Sequence, residues 1–476
     1  MHELVFSLRN VGFRFPEDEK ETLTDISFAI SRGERVAISG PSGCWKSTLL
    51  YLLNRLYPLN CDGIVTGSIH LFGKDAEAYA PGEINHRVAT VFQDPDSQFC
   101  MPTIEEELAF TLENLQVCRK TMHKRIDEVL EMTNLSALRH RVIQSLSGGM
   151  KQRIAAACAL IMEPEVLLLD EPISHLDPAA AKEFIGWLDQ LQRKLGLTII
   201  AVEHRLDLWD AFFEREIGLD SAGRLISDGV SFVHSPVLFP ERVSASGAET
   251  ALEVDRLSAA VKGKEILSPM SFGVRKGEVM IIAGPNGSGK SSLLKALCGI
   301  YPLASGSIAS PGVGYVPQSP EYLFLEKTVA KELAYSGIAD SSQLAELMVR
   351  LRLMEIRNAH PFSVSHGQKR RVATGAMLAD GRPVLLMDEP TSGQDAAALI
   401  ELNRLVMERA KEGVAFLIVT HDMEFAAGVA DSVLLIKEGK LTGKYRAEEV
   451  WNNAELLSDH HLVQPKGDMR FAESFA

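Results

Sequence analysis

Residues 279–292 read VMIIAGPNGSGKSS, and residues 35–48 read RVAISGPSGCWKST. Each stretch opens on a short run dominated by apolar residues that ends at a glycine, as buried strands do. Each then gives G-x-x-x-x-(G/W)-K-S and runs into a helical pattern, SSLLKALCGI or STLLYLLNRL. A strand, a glycine-rich turn with lysine and serine, and a helix make a phosphate-binding loop. The glycines let backbone N–H groups converge on phosphate oxygens, and the helix N-terminus adds partial positive charge. In the second loop, Gly284, Pro285, Asn286, Gly287, Ser288, Gly289, Lys290, Ser291 and Ser292 satisfy the pattern in full. Lys290 is expected on the β and γ phosphates and Ser291 on Mg2+. The first loop, Gly40, Pro41, Ser42, Gly43, Cys44, Trp45, Lys46, Ser47 and Thr48, departs at Trp45. An indole replaces the last glycine there, and steric interference with a tight cradle is expected.

Working outward, the same order of motifs is written twice. VLLLDEP ends at Pro172 and VLLMDEP at Pro390; SLSGGMKQR ends at Arg153 and SVSHGQKRR at Arg371. Ser147 lies 23 residues before Asp170, and Ser365 lies 23 before Asp388. A repeat of ~220 residues has the length of a domain, not of a solenoid unit. The runs VLLLD, TIIAVE, VLLMD and AFLIVT read as further buried parallel strands, so each half is expected to be α/β. The first domain is expected over 1–235, a linker over 236–250, the second domain over 251–445 and a C-terminal appendage over 446–476.

Asp170 with Glu171, and Asp388 with Glu389, stand at the carboxyl ends of strands, where open α/β sheets gather ligands. The aspartates suit Mg2+ through its water shell. The glutamates are placed to polarise an attacking water. Ser147, Gly148 and Gly149 open a helix whose first amides form an anion site, as do Ser365, His366 and Gly367. Both serines are expected to act as N-caps.

The full set resembles the ATP-binding cassette (ABC) ATPases, and the resemblance covers nearly the whole chain. It implies two tandem P-loop NTPase domains, each with a parallel-sheet core, a helical subdomain and an antiparallel β subdomain. It implies ATP and Mg2+ as cofactors, with each ATP held between the phosphate loop of one half and the Ser-Gly-Gly turn of the other. Carried over residue by residue, Gln93 and Gln318 are the Q-loop glutamines that join Ser47, Ser291 and the aspartates toward the metal. His204 and His421 are the switch histidines, and Asp177 and Asp395 the D-loop aspartates. Phe15 stands where the family stacks an aromatic on adenine; the second half has Val261 there.

The stretches QDPDSQFCMPTIEEELAFTLENL after Val91–Phe92 and QSPEYLFLEKTVAKELAYS after Val316–Pro317 are similar to the Q-loop region of energy-coupling factor (ECF) ATPases. That likeness implies a transmembrane coupling protein and a membrane substrate-binding protein as partners, with the chain peripheral on the cytoplasmic face of the membrane. EEEL on its own reads as three glutamates on a solvated helix start. A tandem sugar-importer ATPase is an alternative, as is a tandem ribosome-binding translation factor, which would need a basic inter-cassette arm. A DNA-repair ATPase would need a coiled-coil insertion, and no heptad run is present.

Composition agrees. The 476 residues are 46% hydrophobic and 24% charged, enough for more than one large core. The net charge of −14 disfavours non-specific nucleic-acid binding. No apolar stretch approaches a bilayer span, and the N-terminus has no secretory pattern. The six cysteines form no CxxC pair and read as free thiols, each most simply a small buried hydrophobe.

Overall fold

The computed structural model describes residues 3–80, 82–174, 176–203, 206–209, 212–229, 239, 249–261, 263–335 and 340–465. The chain divides into two compact units, residues 1–176 with 180–234, and residues 177–179 with 235–476. Most of the expected linker therefore lies outside the described residues, as does His204.

In the first unit, a six-stranded sheet runs in the order Leu225–Gly229, Arg215–Leu219, Arg35–Ser39, Thr198–Val202, Val166–Asp170, Val88–Val91. All neighbours are parallel except the first pair. Every residue of Val166–Asp170 and Thr198–Val202 is buried, which is why these strands read as continuous apolar runs. A second, antiparallel sheet joins Leu23–Ser31, Leu4–Arg14, Ile64–Leu71 and Lys74–Asp75. A helical layer has its own core: Ile104, Leu108 and Leu112 meet Ile126, Val129, Ile154 and Ala157. Ile104, Leu108 and Leu112 are four residues apart and so share one face of the helix Ile104–Asn114.

The second unit repeats the plan. Its six-stranded sheet runs Val313–Val316, Val384–Asp388, Ala415–Val419, Val279–Ala283, Ser432–Lys437, Lys440–Arg446, parallel except at the last pair. Lys264–Arg275, Thr250–Val261 and Leu303–Ala309 form the antiparallel sheet. Beyond Arg446, the helices Ala447–Trp451 and Ala454–Asp459 bury Val450, Trp451 and Leu457 in the second unit's core. Residues 447–465 are thus packed against this domain.

Register decides where the sites form. Val202 pairs with Ile38 on one side and Asp170 on the other. The first phosphate loop and Asp170–Glu171 therefore leave the sheet at one carboxyl edge. Val419 pairs with Ile282 and with Asp388, which aligns the second loop, Asp388–Glu389 and His421 in the same way.

All six cysteines are free, but only Cys44 is fully buried; Cys61, Cys100 and Cys118 are exposed. Those three lie in the turns and helix starts that connect elements, where the chain runs over the surface. No helix among the described residues is long and apolar enough to cross a membrane.

Candidate active sites

Both loops wrap through left-handed backbone, with Gly40 at φ 147° and Gly284 at φ 146°. A Cβ on Gly284 would lie 2.0 Å from the Ile436 carbonyl oxygen, and on Gly40 2.6 Å from that of Leu219. Only glycine fits so close an approach. Lys46 Nζ donates to the Gly40 and Pro41 carbonyls at 2.9 Å each. Lys290 does the same to Gly284 and Pro285 at 2.8 and 2.9 Å. The helices Lys46–Leu53 and Lys290–Leu297 start at these lysines, so Ser47, Thr48, Ser291 and Ser292 sit in their first turns.

Trp45 does not spoil the first cradle. It adopts φ 68°, in the region Gly289 uses at φ 104°, at a cost of about 1–2 kcal/mol that glycine avoids. Its indole is 41% exposed and lies 6.0 Å, centroid to centroid, from Phe15. The ring joins an aromatic cluster in which Phe15 also meets Phe13 at 5.0 Å and Tyr57 at 5.7 Å. The lysine contacts match in the two loops, so the expected interference with the loop's closure is not seen.

Asp170 and Asp388 are 2% and 1% exposed. Their Oδ1 atoms accept the Ser47 and Ser291 hydroxyls, each at 2.9 Å. Burial and the neighbouring Glu171 push the Asp170 carboxyl up to about 6. Burial also raises Asp388, opposed by Ser291 and by the Lys295 ammonium. Among the described residues, no group of three or more His, Cys, Asp and Glu side chains is placed to cage a metal. One buried carboxylate beside one hydroxyl, at a phosphate loop, is nonetheless a donor set that fits Mg2+, which keeps waters and borrows phosphate oxygens.

Glu171 and Glu389 share a left-handed backbone, φ 45° and 53°, and each N–H donates back to the adjacent strand, to Val202 and Val419. The same strained geometry twice is what a functional constraint produces. Gln93 Nε2 donates to Glu171 Oε2 at 2.8 Å. Glu389 Oε2 accepts the His421 backbone N–H at 3.2 Å, and His421 Nε2 stands 3.3 Å from Oε1. Burial and Asp388 raise the Glu389 carboxyl well above the carboxylate range, while burial lowers Lys290.

The helix Gly148–Leu160 follows Ser147, and His366–Ala379 follows Ser365. Ser365 caps its helix by accepting the Gln368 N–H, within a capping box. Ser147 makes no side-chain cap hydrogen bond, so the expected cap holds in one unit only. Gly367 is buried with its Cβ position 2.5 Å from the Gly393 carbonyl oxygen, which excludes any larger residue. Asp395 caps the helix Ala396–Lys411 through Ala398 N–H, and Asp177 precedes the helix Pro178–Leu195. Val261 ends its strand, half-buried.

Three features escaped the motif reading. Arg370 is buried and donates to the Glu389 and Gln318 carbonyls, the latter at 2.9 Å, with Nη2 also 3.1 Å from His366 Nε2. Glu107 is buried, correcting the reading of EEEL as solvated: it accepts the Cys100 and Met101 N–H groups. Glu332 does the same for Leu325 and Glu326. Aligning EEEL with AKEL exposes this glutamate, the one acidic position the two share. The third feature is a tyrosine hydroxyl on each of the Asp170 and Asp388 carboxylates.

Base stacking by Phe15 is an expectation that Trp45, 6.0 Å away, can report on. Stacking contributes ~1–3 kcal/mol per base in nucleic-acid sites. Phe15→Ala is expected to weaken nucleotide binding at the first loop about 5- to 150-fold by that range, read from Trp45 fluorescence on titration. Val261→Tyr is expected to tighten the second. Unchanged affinity in both variants would leave Phe15 a packing residue.

The chain matches the ABC transporter family over residues 23–174 and 267–392, one match in each unit. It is 38% identical to the "Putative HMP/thiamine import ATP-binding protein YkoD" of Bacillus subtilis (strain 168), covering 91% of this chain and 90% of that one. It is 31% identical to an ABC transporter ATP-binding protein of Saccharolobus solfataricus, SSO1893, over 96% of each chain. The solved structure of an RNase-L inhibitor covers 98% of both chains with a TM-score of 0.64 at 22% identity, a likeness of fold. Two phosphate loops, two buried serine–aspartate pairs and two strained glutamates at the same sheet edges accord with those matches: the chain belongs to the ABC transporter family of ATP-binding proteins, carries the family's domain twice, and is an ATPase.

Proposed function

We propose that this chain is the ATP-hydrolysing subunit of an ECF-type membrane importer, and that its two cassettes work at unequal rates. The observation that carries the transport reading is the relative named for HMP/thiamine import, which matches across nine-tenths of both chains. A vitamin or vitamin precursor of that kind is the first solute to test, ahead of a metal ion. In this reading Lys46 and Lys290 bind the phosphates, while Ser47 with Asp170 and Ser291 with Asp388 would hold Mg2+, joined by Gln93 and Gln318. The metal supplies charge neutralisation on the phosphates. Glu171 and Glu389 accept the proton of the attacking water, with His421 orienting Glu389 and His204 its counterpart in the first cassette. Ser147, Gly148, Gly149, Ser365, His366 and Gly367 present helix N-termini to phosphate.

A membrane location would come from a protein partner docking beside the Q-loops, over residues 93–110 and 318–335. In the second unit this stretch exposes large apolar side chains among its polar ones: Tyr322 is 85% exposed, and Leu325 and Tyr335 are exposed as well. Tyr322→Asp with Leu325→Asp is expected to lower recovery of the coupling and substrate-binding proteins severalfold on co-purification, with ATP binding intact. Coexpression with its genomic neighbours that yields no membrane partner would sink the transport reading. Co-sedimentation with ribosomes would replace it with the translation-factor reading.

A further inference from the structure

Each buried aspartate at the sheet edge is held from both sides, and the second hand comes from a different place in each unit. In the first, Asp170 Oδ2 accepts the Tyr51 hydroxyl at 2.9 Å. Tyr51 lies on the phosphate-loop helix Lys46–Leu53. In the second, Asp388 Oδ2 faces the Tyr315 hydroxyl at 3.4 Å, from the neighbouring strand Val313–Val316. Aligning GPSGCWKSTLLY with GPNGSGKSSLLK puts Lys295 where the first unit has Tyr51. Aligning VATVFQ with VGYVPQ puts Thr90 where the second has Tyr315. The two units have exchanged the element that carries the tyrosine and kept the hydroxyl on the same carboxylate oxygen.

We infer that Tyr51 and Tyr315 are positioning residues for Asp170 and Asp388: they lock each carboxylate with Oδ1 on its serine, in the orientation that receives Mg2+. A carboxylate this deeply buried needs donors to stay ionised. The serine supplies one and the tyrosine the other, and together they stop rotation of the carboxylate plane. Partners that orient a metal-holding group in this way commonly control its affinity. The Tyr51 ring is itself fixed, 5.6 Å from Phe92 and 6.2 Å from Tyr57.

The inference rests on Asp170 and Asp388 being the Mg2+-holding aspartates, and the test separates the two claims. ATP affinity of the full chain is measured by calorimetry with Mg2+ and with excess EDTA. Hydrolysis is blocked by Glu171→Gln and Glu389→Gln, and one loop is silenced by Lys290→Ala or Lys46→Ala. Tyr51→Phe, in the Lys290→Ala chain, is expected to reduce the gain in affinity from Mg2+ about 10- to 100-fold, leaving the EDTA value unchanged. Tyr315→Phe, in the Lys46→Ala chain, is expected to do the same. Transplanting the second unit's pair into the first, Tyr51→Lys with Thr90→Tyr, is expected to restore the gain, and it keeps the test open if Tyr51→Phe folds poorly. An unchanged Mg2+ gain in the Phe variants, or equal losses with and without Mg2+, would overturn the inference. If Asp170→Asn also leaves the gain intact, the assignment of the aspartate fails; if Asp170→Asn abolishes it and Tyr51→Phe does not, only the role of the tyrosine fails.

Discussion

Glu389→Gln is expected to remove most ATP hydrolysis, by about 10²–10⁴-fold, the usual contribution of a general base. Glu171→Gln is expected to cost clearly less. The two glutamates share backbone geometry, so the difference comes from what surrounds them. The phosphate loop that Glu389 serves is built of three left-handed glycines. Glu171 serves a loop in which Trp45 holds the third left-handed position. Phosphoryl transfer depends on positioning and charge stabilisation around the γ-phosphate, so strain in that loop acts on chemistry more than on binding. Lys290→Ala should likewise exceed Lys46→Ala. Coupling between the cassettes can equalise steady-state rates. The decisive measurement is therefore single-turnover hydrolysis with nucleotide trapped in both cassettes. Cleavage in the Trp45 cassette as fast as in the other would refute the asymmetry.

Arg370→Gln is expected to destabilise the second cassette by about 2–4 kcal/mol, because it removes a buried guanidinium from two carbonyls. Arg370 ties the helix His366–Ala379 to both the Glu389 turn and the Q-loop residue Gln318. Burial lowers its pKa to about 10, so it remains a cation at neutral pH. The matching position in the first cassette is Gln152, also buried, whose amide atoms have no hydrogen-bond partner among the described residues. Gln152→Met is therefore expected to be neutral or stabilising, since it replaces an unpaired amide by an apolar chain of similar size. Thermal unfolding checks both: at ~2–4 °C per kcal/mol for domains of this size, Arg370→Gln should lower the second transition by several degrees. A loss from Gln152→Met as large as that from Arg370→Gln would show that the arginine's hydrogen bonds carry no special weight.

The duplication, the buried strands and the phosphate loops were legible in the sequence because each is a local pattern. Strands such as Val166–Asp170 and Ala415–Val419 are buried along their whole length, and burial on both faces writes itself as an unbroken apolar run. Gly40 and Gly284 are needed because a neighbouring carbonyl leaves no room for a Cβ, and the need shows as a glycine. The tertiary structure alone decided what depends on partners far apart along the chain. It turned Trp45 outward onto Phe15, 30 residues earlier, where the loop pattern suggested a clash. It buried Glu107 against the Cys100 and Met101 backbone and left Cys61, Cys100 and Cys118 exposed, since burial follows packing rather than residue type. It put Tyr51 and Tyr315 on equivalent aspartates from inequivalent positions, which no alignment of the two halves reveals. A hydrogen bond needs two atoms within about 3 Å in space, and sequence order constrains that distance only for residues that are near neighbours or share a known register.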